Sequence, residues 1–371
     1  MKFFFAGDVL LKEESYTGSL LSSELQKLVG EHDIVCCNLE GPCIKKGTKE
    51  AKKRGPSISQ GKHVLQRLRE SGFNTLDLAN NHIMDYGEEG LINTLKNIKK
   101  DFYYCGAAEN EESVYKLLEF CFNGKRVCFI AVAECAFGSS IDGEGGCAWM
   151  AHEEVAKMFR MAKEQCDYIF VLCHCGAEEL EVPLPEVRKI YRNFIDQGAD
   201  VVIGHHPHVI QGCEDYNGKY IFYSLGNFAF DSLENSYIPY QPYGLCVSIK
   251  ISEKNKMYYK PICTEYRNGK VRLCSNDDNW NKVNTYLKNK NVYKKMVDEY
   301  CTELFEKYLK KYILNVIGLD IDNKEKLDKF VNYRLSGEPL LWDYLFLYHN
   351  IAIETNRWIC LHAIKALGYI D

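Results

Sequence analysis

Short β-rich runs alternate with stretches of helical periodicity from the start of this 371-residue chain to about residue 210. The β-rich runs are residues 3–6, 34–37, 75–79, 126–133, 168–173 and 201–203. The stretches of helical period are residues 22–29, 64–71, 88–98, 153–164 and 185–197. Strands that alternate with helices in this order form sheets that the helices cover. The sequence therefore predicts an α/β fold.

The next part of the chain is richer in β-forming residues. Residues 219–224, 244–251 and 257–274 have this character. Within the last of them, Asn268-Gly269 is a turn pair typical of a β-hairpin, because both residues tolerate the positive φ that a tight hairpin turn requires. These features predict a second, more antiparallel sheet.

The composition changes again near residue 275. From about residue 279, Lys, Asn, Tyr and Leu dominate, and helical period recurs at 297–309 and 341–367. No internal repeat or low-complexity linker marks a sharper boundary. We therefore predict one domain over residues 1–275 and a mostly helical C-terminal extension over residues 276–371.

The charge and hydropathy patterns argue against two classes of partner. Lys plus Arg total 46 and Asp plus Glu total 51, which gives a net charge of −5. Such a chain has no overall positive field to attract nucleic acid or an anionic membrane. The longest apolar candidate, residues 127–137, is much shorter than the roughly 20 residues that cross a bilayer. We expect no nucleic-acid partner and no membrane span.

The cysteines and the N-terminus bear on the compartment. Seventeen cysteines are scattered without a C-x-x-C pair, unlike those of a zinc ribbon or a compact disulfide scaffold. The apolar start at residues 1–5 is interrupted by Gly7-Asp8, and no small-residue cleavage site follows. We interpret it as a first strand rather than a signal peptide. Together these features predict a cytoplasmic protein.

Polar side chains suited to metal binding follow the ends of the predicted strands. Open α/β folds assemble their sites at this position, because the carboxyl ends of parallel strands share one edge of the sheet. In chain order the candidates are Asp8, Asn38, Glu40, Asn80, Asn81, His82, Asp85, His174, His205, His206, His208, Asn227 and Asp231.

Taken singly, most of these residues have an ordinary structural explanation. Asp8 alone would be a cap or a turn residue, and Asn80-Asn81 could form a turn. A lone His174 is more often a hydrogen-bonded structural histidine than a ligand. The segment 205–208 differs, because three imidazoles in four residues after a β-branched strand make a poor core and a good ligand set. Ligand-type groups at several strand ends together favour a functional site.

The mixture of ligand types indicates a catalytic metal site. Carboxylates, an amide oxygen and imidazoles without thiolates suit Mn²⁺, Fe, Zn²⁺ or Mg²⁺. One or two divalent ions are expected. A carboxylate such as Glu40 can bridge two ions about 3.5–4 Å apart, and such a pair activates water and stabilises the attacking and leaving oxygens. His82, next to Asn81, could then protonate the leaving group.

Six ordered motifs over about residues 1 to 250 resemble the CapA family of bacterial capsule and poly-γ-glutamate synthesis proteins, which is related to the calcineurin-like metallophosphoesterases. The motifs are GDVLL at 7–11, NLEGP at 38–42, ANNHIMDYGEEGL at 79–91, HCGAE at 174–178, GHHPHVIQ at 204–211 and SLGNF at 224–228. The resemblance implies a metallophosphatase-like four-layer α/β/β/α sandwich with the ions at the strand ends.

The resemblance also implies roles for individual residues. By it, Asp8 is the first metal carboxylate and Glu40 the bridging one, Asn81 is the amide ligand, and His174 binds the second ion. His206 and His208 match the paired histidines that close the phosphoesterase site. His82 is the acid or transition-state donor, and with Asp85 it forms the predicted catalytic set. Further candidate ligands are Asn38, His205 and Asn227.

The first two motifs depart from the phosphoesterase pattern. Leu10 stands where the first motif usually has a histidine, and Glu40, preceded by Asn38, stands where an aspartate is usual. The first ion therefore has fewer recognisable ligands. His205 could substitute for the missing imidazole, and the sequence leaves open which histidines of 205–208 bind.

Two functions compete. The first is a metal-dependent, phosphoesterase-like hydrolase that acts on an anionic small molecule or polymer, linked to capsule or poly-γ-glutamate metabolism. The second is a non-catalytic component that binds the polymer during its synthesis or export. A structural metal site in an interaction protein fits exposed strand-end ligands less well. A basic loop at residues 45–56 either steers an anionic substrate or is an ordinary solvated loop. Glu178 and Glu179 either orient a ligand imidazole or are exposed acids at a helix start.

Overall fold

The computed structural model describes residues 1–12, 16–53, 55–140, 143–231, 242–274, 277–309 and 353–367. Of the predicted helical stretch 341–367, residues 341–352 therefore lie outside the described residues, and residues 353–367 are described. The domain division at residue 275 stays a prediction.

The strands of the described residues begin at Lys2 and end at Leu273. They are β1 (Lys2–Leu10), β2 (Ile34–Leu39), β3 (Thr75–Asp77), β4 (Tyr103–Cys105), β5 (Ala107–Asn110), β6 (Leu118–Phe122), β7 (Lys125–Ala133), β8 (Glu144–Cys147), β9 (Tyr168–His174), β10 (Val201–His205), β11 (Cys213–Tyr216), β12 (Lys219–Phe222), β13 (Asn227–Phe230), β14 (Tyr243–Ile251), β15 (Met257–Arg267) and β16 (Lys270–Leu273).

The helices fall between the strands and after them. They are α1 (Ser23–Val29), α2 (Lys62–Glu70), α3 (Gly87–Ile98), α4 (Glu111–Val114), α5 (Glu153–Gln165), α6 (Pro185–Asp196), α7 (Asp277–Lys288), α8 (Lys290–Leu304), a π-helical turn (Phe305–Leu309) and α9 (Glu354–Ala366). Each β-rich run and each helical stretch predicted before residue 210 corresponds to one of these elements. Of the helices in the described ranges, none has the length and hydrophobicity needed to span a bilayer.

The first sheet contains the N-terminal strand near its centre. Its order is β16-β15-β14-β1-β2-β3-β4, with β13 also paired to β1. The strands β1, β2, β3 and β4 run parallel to one another, whereas β14, β15 and β16 are antiparallel to their neighbours. The carboxyl ends of the parallel strands therefore lie along one edge.

The second sheet has the order β11-β12-β10-β9-β7-β6. Its four inner strands β7, β9, β10 and β12 are parallel, and β6 and β11 pair antiparallel at the two ends. Its parallel strands are apolar along almost their whole length, as expected for a sheet buried on both faces.

The two sheets pack face to face through aromatic side chains. The Phe170 ring lies 5.0 Å from that of Phe3, 5.6 Å from that of Phe5 and 5.5 Å from that of Phe129. All four side chains are almost fully buried. Aromatic rings bury large apolar areas and pack favourably at these separations, so this cluster holds the sheets together.

Replacing Phe170 with alanine is expected to lower the free energy of unfolding by about 3–5 kcal/mol, because the cavity lies between two sheets that cannot both collapse into it. Urea denaturation of chelator-treated protein measures the change. Tyr258→Ala is the matched control, since that strand residue is 54% exposed and its truncation should cost about 1 kcal/mol or less. Equal losses in the two variants would contradict this account of the core.

Helices cover the outer faces of both sheets. Leu25 of α1, Leu68 of α2 and Leu95 of α3 belong to the same apolar cluster as the first sheet. Phe159 of α5 and Phe194 of α6 belong to a second cluster, which covers the second sheet. The result is the expected four-layer α/β/β/α sandwich.

The helices after residue 276 pack on the second sheet's side of the molecule. Val297 and Cys301 of α8 share the second apolar cluster with Ile359 and Ala363 of α9 and with residues of α5 and α6. All seventeen cysteines are free thiols, most of them buried, where cysteine behaves as a small hydrophobe.

The prediction of a separate antiparallel sheet near residues 219–275 is wrong. The hairpin at Asn268-Gly269 is confirmed, with φ of +50° and +68°. However, β14 pairs with β1, Phe3 lying opposite Ile249, and so β14, β15 and β16 extend the first sheet. The strand β12 pairs in parallel with β10 in the second sheet. Pairing partners depend on which strand edges the fold leaves open, and local sequence does not carry that information.

Candidate metal centre

The predicted ligands gather where the carboxyl edges of the two sheets meet. In the first sheet, Asp8 of β1 lies opposite Asn38 of β2 on one side and Asn227 of β13 on the other. In the second sheet, His174 of β9 lies opposite His205 of β10. Strand pairing alone thus aligns five candidates that are up to 219 residues apart.

Asp8 occupies the centre of this cluster and is fully buried. Its Oδ1 lies 3.3 Å from Nδ1 of His205 and 3.9 Å from Nδ1 of His174, and its Oδ2 lies 3.7 Å from Nδ1 of His208. Its backbone N–H donates to the carbonyl oxygen of Gly226. Residue 7 must be glycine for this approach, because a Cβ there would lie 1.9 Å from that same oxygen.

Glu40 faces the same space from the end of β2. Its Oε1 lies 3.6 Å from Nε2 of His208 and 3.9 Å from Nε2 of His82. Asp8, Glu40 and His208 bring three potential ligand atoms within 4.8 Å of one another. A second such group consists of Glu178, His206 and His208. The two groups share His208 and therefore adjoin each other.

Two asparagines contact the imidazoles. Oδ1 of Asn81 lies 3.0 Å from Nε2 of His174, and Oδ1 of Asn227 accepts a hydrogen bond of 2.9 Å from Nδ1 of His208. The latter bond orients the His208 ring with Nε2 towards Glu40. Asn227 comes after β12, as predicted, and is itself the first residue of β13.

Two other candidates lie in supporting positions. The Oδ1 atom of Asn80 accepts hydrogen bonds from the backbone N–H groups of Gly41 and His82. Asn80 therefore stabilises the backbone next to the cluster. Asp231 accepts from the backbone N–H of Lys12 and from the Tyr266 hydroxyl, which places it in a structural link between strands.

Several buried polar atoms of the cluster make no hydrogen bond within the described residues. They include Oδ1 of Asn38, both carboxylate oxygens of Glu40, and Nδ1 of His174 and of His206. Burying polar atoms without partners is costly, and buried carboxylates are normally paired or bound to metal. Oxygen and imidazole nitrogen atoms without thiolates are the ligands of Mn²⁺, Fe, Zn²⁺ and Mg²⁺. The residues present therefore fit divalent cations.

The electrostatics of the cluster also favour a bound cation. Burial lowers the pKa of His206 to about 4 and, helped by the neighbouring imidazoles, holds the pKa of His174 well below its usual range. Both rings are therefore neutral, as metal ligands must be. Burial raises the pKa of Glu40 well above its ordinary value. Burial would also lower the pKa of His208, but the carboxylates of Glu40 and Asp8 outweigh it and raise that pKa to about 9. Positive charge is thus stabilised between these two carboxylates.

Adding Mn²⁺ to chelator-treated protein is expected to raise its melting temperature. At a free concentration 100 times the dissociation constant, binding to the folded state alone contributes about 2.7 kcal/mol, which corresponds to roughly 3–4 °C in a chain of this size. Differential scanning fluorimetry measures the shift, with KCl at equal ionic strength as the control. An unchanged melting temperature at millimolar Mn²⁺ would contradict the metal assignment.

The predicted catalytic residues form a close pair beside the cluster. Nδ1 of His82 lies 2.7 Å from Oδ2 of Asp85. Asp85 is fully buried and also accepts from the backbone N–H of Ile58. Its Oδ1 lies 2.9 Å from Nζ of Lys53, whose side chain is only 6% exposed. One lysine of the predicted basic loop thus reaches the site, whereas Lys45 and Lys46 are exposed.

Two buried carboxylates beside the cluster were not predicted from the sequence. Glu134, directly after β7, has its Oε1 3.5 Å from Nε2 of His206, and burial raises its pKa to about 7. Asp77, the last residue of β3, accepts from the backbone N–H of Ala79, and burial raises its pKa to about 7 as well. Glu134 directly follows the predicted run 126–133, whereas Asp77 lies inside the predicted run 75–79 because β3 ends two residues earlier than expected.

Glu178 lies beside the cluster and not at the start of a helix. It lies four residues after His174, in a segment without helix, and its carboxylate belongs to the group with His206 and His208. Glu179, by contrast, is not part of either group of potential ligands in the described residues.

The layered sheets and the strand-end cluster define a metallophosphatase-like α/β protein. A family model described as the bacterial capsule synthesis protein PGA_cap matches residues 2–232, which is more than half of the chain. The chain belongs to this family, and the CapA resemblance of its motifs is confirmed.

Two curated relatives and a solved structure illustrate the similarity. The chain is 34% identical over 208 residues to the capsule biosynthesis protein CapA of Bacillus anthracis, covering 54% of this chain and 51% of the relative. It is 31% identical over 243 residues to the PGA biosynthesis protein CapA of Bacillus subtilis, covering 61% and 62%. The chain thus spans between half and two thirds of these relatives. The crystal structure of a putative 5′-nucleotidase from Staphylococcus aureus in complex with alpha-ketoglutarate aligns with a TM-score of 0.42 at 15% identity, covering 80% of this chain and 58% of that one.

Proposed function

We propose that the protein is a metal-dependent, phosphoesterase-like hydrolase that acts on an anionic substrate, linked to capsule or poly-γ-glutamate metabolism. The observation that carries the proposal is the convergence of buried donor atoms from both sheets, several of which have no hydrogen-bond partner among the described residues. These atoms are consistent with a bound ligand, because each polar atom that is buried without a partner lowers the stability of the fold by about 1–3 kcal/mol.

Two groups of residues would hold the cations. Asp8, Glu40 and His208 would hold one ion, and Asn81, His174 and His206, with Glu178 beside them, would hold another. When bound, Mn²⁺, Fe, Zn²⁺ or Mg²⁺ would supply an activated water and stabilise the negative charge that develops during hydrolysis.

His82 and Asp85 would handle the proton of the leaving group. Asp85 accepts from Nδ1–H of His82, so it fixes the orientation of the imidazole and leaves Nε2 as the atom that binds and releases a proton. That Nε2 faces Glu40 at 3.9 Å, on the side of the cluster. His82 is partly exposed, with 12% of its side chain accessible, and a substrate oxygen could reach it. This is the arrangement of a general acid.

The basic loop supports an anionic substrate. Lys53 places an ammonium group beside Asp85, and the exposed Lys45, Lys46 and Lys49 extend the positive charge outward along the same loop. In a chain with a net charge of −5, such a local excess of positive charge would raise the local concentration of an anion.

A metal-supplemented activity screen tests the proposal. Protein purified without chelator is first analysed for bound metals. It is then assayed with Mn²⁺, Fe²⁺ and Zn²⁺ against phosphomonoesters, phosphodiesters and γ-glutamyl peptides. We expect chelator-sensitive turnover of one class. Absence of both bound metal and turnover in all combinations would overturn the proposal.

A second candidate is a non-catalytic component that binds the polymer during capsule or poly-γ-glutamate synthesis. The names of the two relatives favour it, since one is a capsule biosynthesis protein and the other a PGA biosynthesis protein. Isothermal titration of the metal-loaded protein with poly-γ-glutamate separates the candidates. Tight binding without cleavage of any substrate class supports the second, and cleavage supports the first.

A further inference from the structure

We propose that Glu134 is a positioning residue for the metal ligand His206, and that the first turn of the C-terminal helix α9 holds it in place. The inference rests on the metal site of the proposed function. It gives the C-terminal helix a role in metal binding, although that helix lies more than 120 residues beyond the matched family segment at 2–232.

The first step concerns the two nitrogens of His206. Nδ1 is buried and makes no hydrogen bond within the described residues, whereas Nε2 faces Oε1 of Glu134 at 3.5 Å. An imidazole that binds a metal through one nitrogen usually presents its other N–H to a carboxylate or carbonyl, which fixes the tautomer and the ring orientation. Glu134 is placed to do this for His206, leaving Nδ1 as the ligand atom.

The backbone of His206 makes such support necessary. Its φ is +95°, a value that side-chain-bearing residues rarely adopt and that persists only where surrounding contacts determine the conformation. One such contact is the hydrogen bond of 3.2 Å from its backbone N–H to Oδ2 of Asp8. Glu134 supplies the contact on the ring side.

Glu134 itself is fixed mainly by α9. Its Oε2 accepts two hydrogen bonds from Thr355, one of 3.1 Å from the backbone N–H and one of 2.6 Å from the hydroxyl Oγ1. Its Oε1 also faces the backbone N–H of Gly176 at 3.4 Å. Glu134 and Thr355 are 221 residues apart in sequence and both are at least 95% buried.

The backbone N–H groups at the start of α9 require an acceptor, and this carboxylate provides one. The first N–H groups of a helix have no partner inside the helix, and Ile353 at the N-cap provides no side-chain oxygen. The negative charge of Glu134 at that position is also favoured by the helix dipole. The neighbouring Glu354 anchors the same turn, because its Oε2 accepts from the backbone N–H of Cys135 and from Nε1 of Trp149.

The test measures Mn²⁺ affinity in the full chain, by competition with a fluorescent chelator. Glu134→Gln is expected to weaken binding by about 10- to 100-fold, the usual effect of removing such a partner, because the amide cannot accept from both Thr355 and His206. Thr355→Val keeps the shape and the backbone N–H but removes the hydroxyl, so it should reduce the Mn²⁺ affinity by a smaller but measurable factor. Thr355→Ser restores the hydroxyl and should bind Mn²⁺ as the unaltered chain does.

Thr285→Val is the matched control, since the hydroxyl of that exposed threonine of α7 donates to the carbonyl oxygen of Asn281 in the same helix. Metal-free melting temperatures are recorded for every variant. If Thr355→Val lowers the melting temperature but binds Mn²⁺ with unchanged affinity, α9 has only a structural role and the inference is overturned. If the unaltered chain binds no Mn²⁺, the proposed function fails instead.

Discussion

Replacing Asp8 with asparagine is expected to abolish stable cation binding, with a loss of Mn²⁺ affinity of at least about 100-fold, the upper end of the range for a residue that only supports a ligand. Asp8 is central because its two oxygens face three imidazoles within 3.9 Å. Asparagine has the same shape and can still accept from the backbone N–H of His206, but it lacks the negative charge. Metal content after dialysis, determined by elemental analysis, measures the effect.

Asp101→Asn is the matched control for this substitution. Asp101 makes an ion pair with Arg69 at the surface, where its side chain is 42% exposed. Surface ion pairs contribute about 0–1 kcal/mol, and this one lies in no group of potential metal ligands, so metal content should not change. Should Asp8→Asn retain the same metal content and affinity as Asp101→Asn, the metal centre as described here is wrong.

Replacing His82 with alanine is expected to lower kcat by about 10²- to 10⁴-fold, the usual contribution of a positioned general acid. Mn²⁺ affinity should stay largely unchanged, because the imidazole is bonded through Nδ1 to Asp85 and not to a ligand. The assay uses the substrate class that the activity screen identifies, at saturating Mn²⁺. The separation of kcat from metal content distinguishes a proton donor from a metal ligand.

His362→Ala provides the comparison. His362 of α9 is also an imidazole paired with a carboxylate, that of Glu186 at 3.0 Å, but it is not in either group of potential metal ligands. Its replacement should leave kcat within the range of the unaltered protein. If His82→Ala also turns over substrate at the unaltered rate, the proton donor is another group or the leaving group needs none.

Much of the cluster was accessible from the sequence because most of the candidate ligands lie at or near the carboxyl end of a strand. A run such as 168–173 followed by His174 carries both signals in a few contiguous residues. The same criterion applies to Glu134, which follows the run 126–133, yet a single glutamate at a strand end has no feature that distinguishes it from a surface acid. Its importance arises from Thr355, which no local pattern connects to it.

The placement of strands β14, β15 and β16 illustrates a different limit. Their antiparallel hairpin character was readable from their β-rich composition and from the turn pair Asn268-Gly269. The sheet that they join depends on the open edge of β1, to which β14 pairs. A strand's pattern specifies which face is buried but not which neighbour it meets.

The order of the longer strands and helices, the family, and the identity of most candidate ligands were determined by the sequence alone, because these depend on contiguous patterns of apolar, polar and turn-forming residues. Tertiary structure alone decided which nitrogen of His206 faces Glu134, how close Glu178 comes to His206, and that α9 contacts Glu134. The physical reason is that these contacts join residues far apart in the chain. Their distances are set by the packing of both sheets and the surrounding helices as a whole.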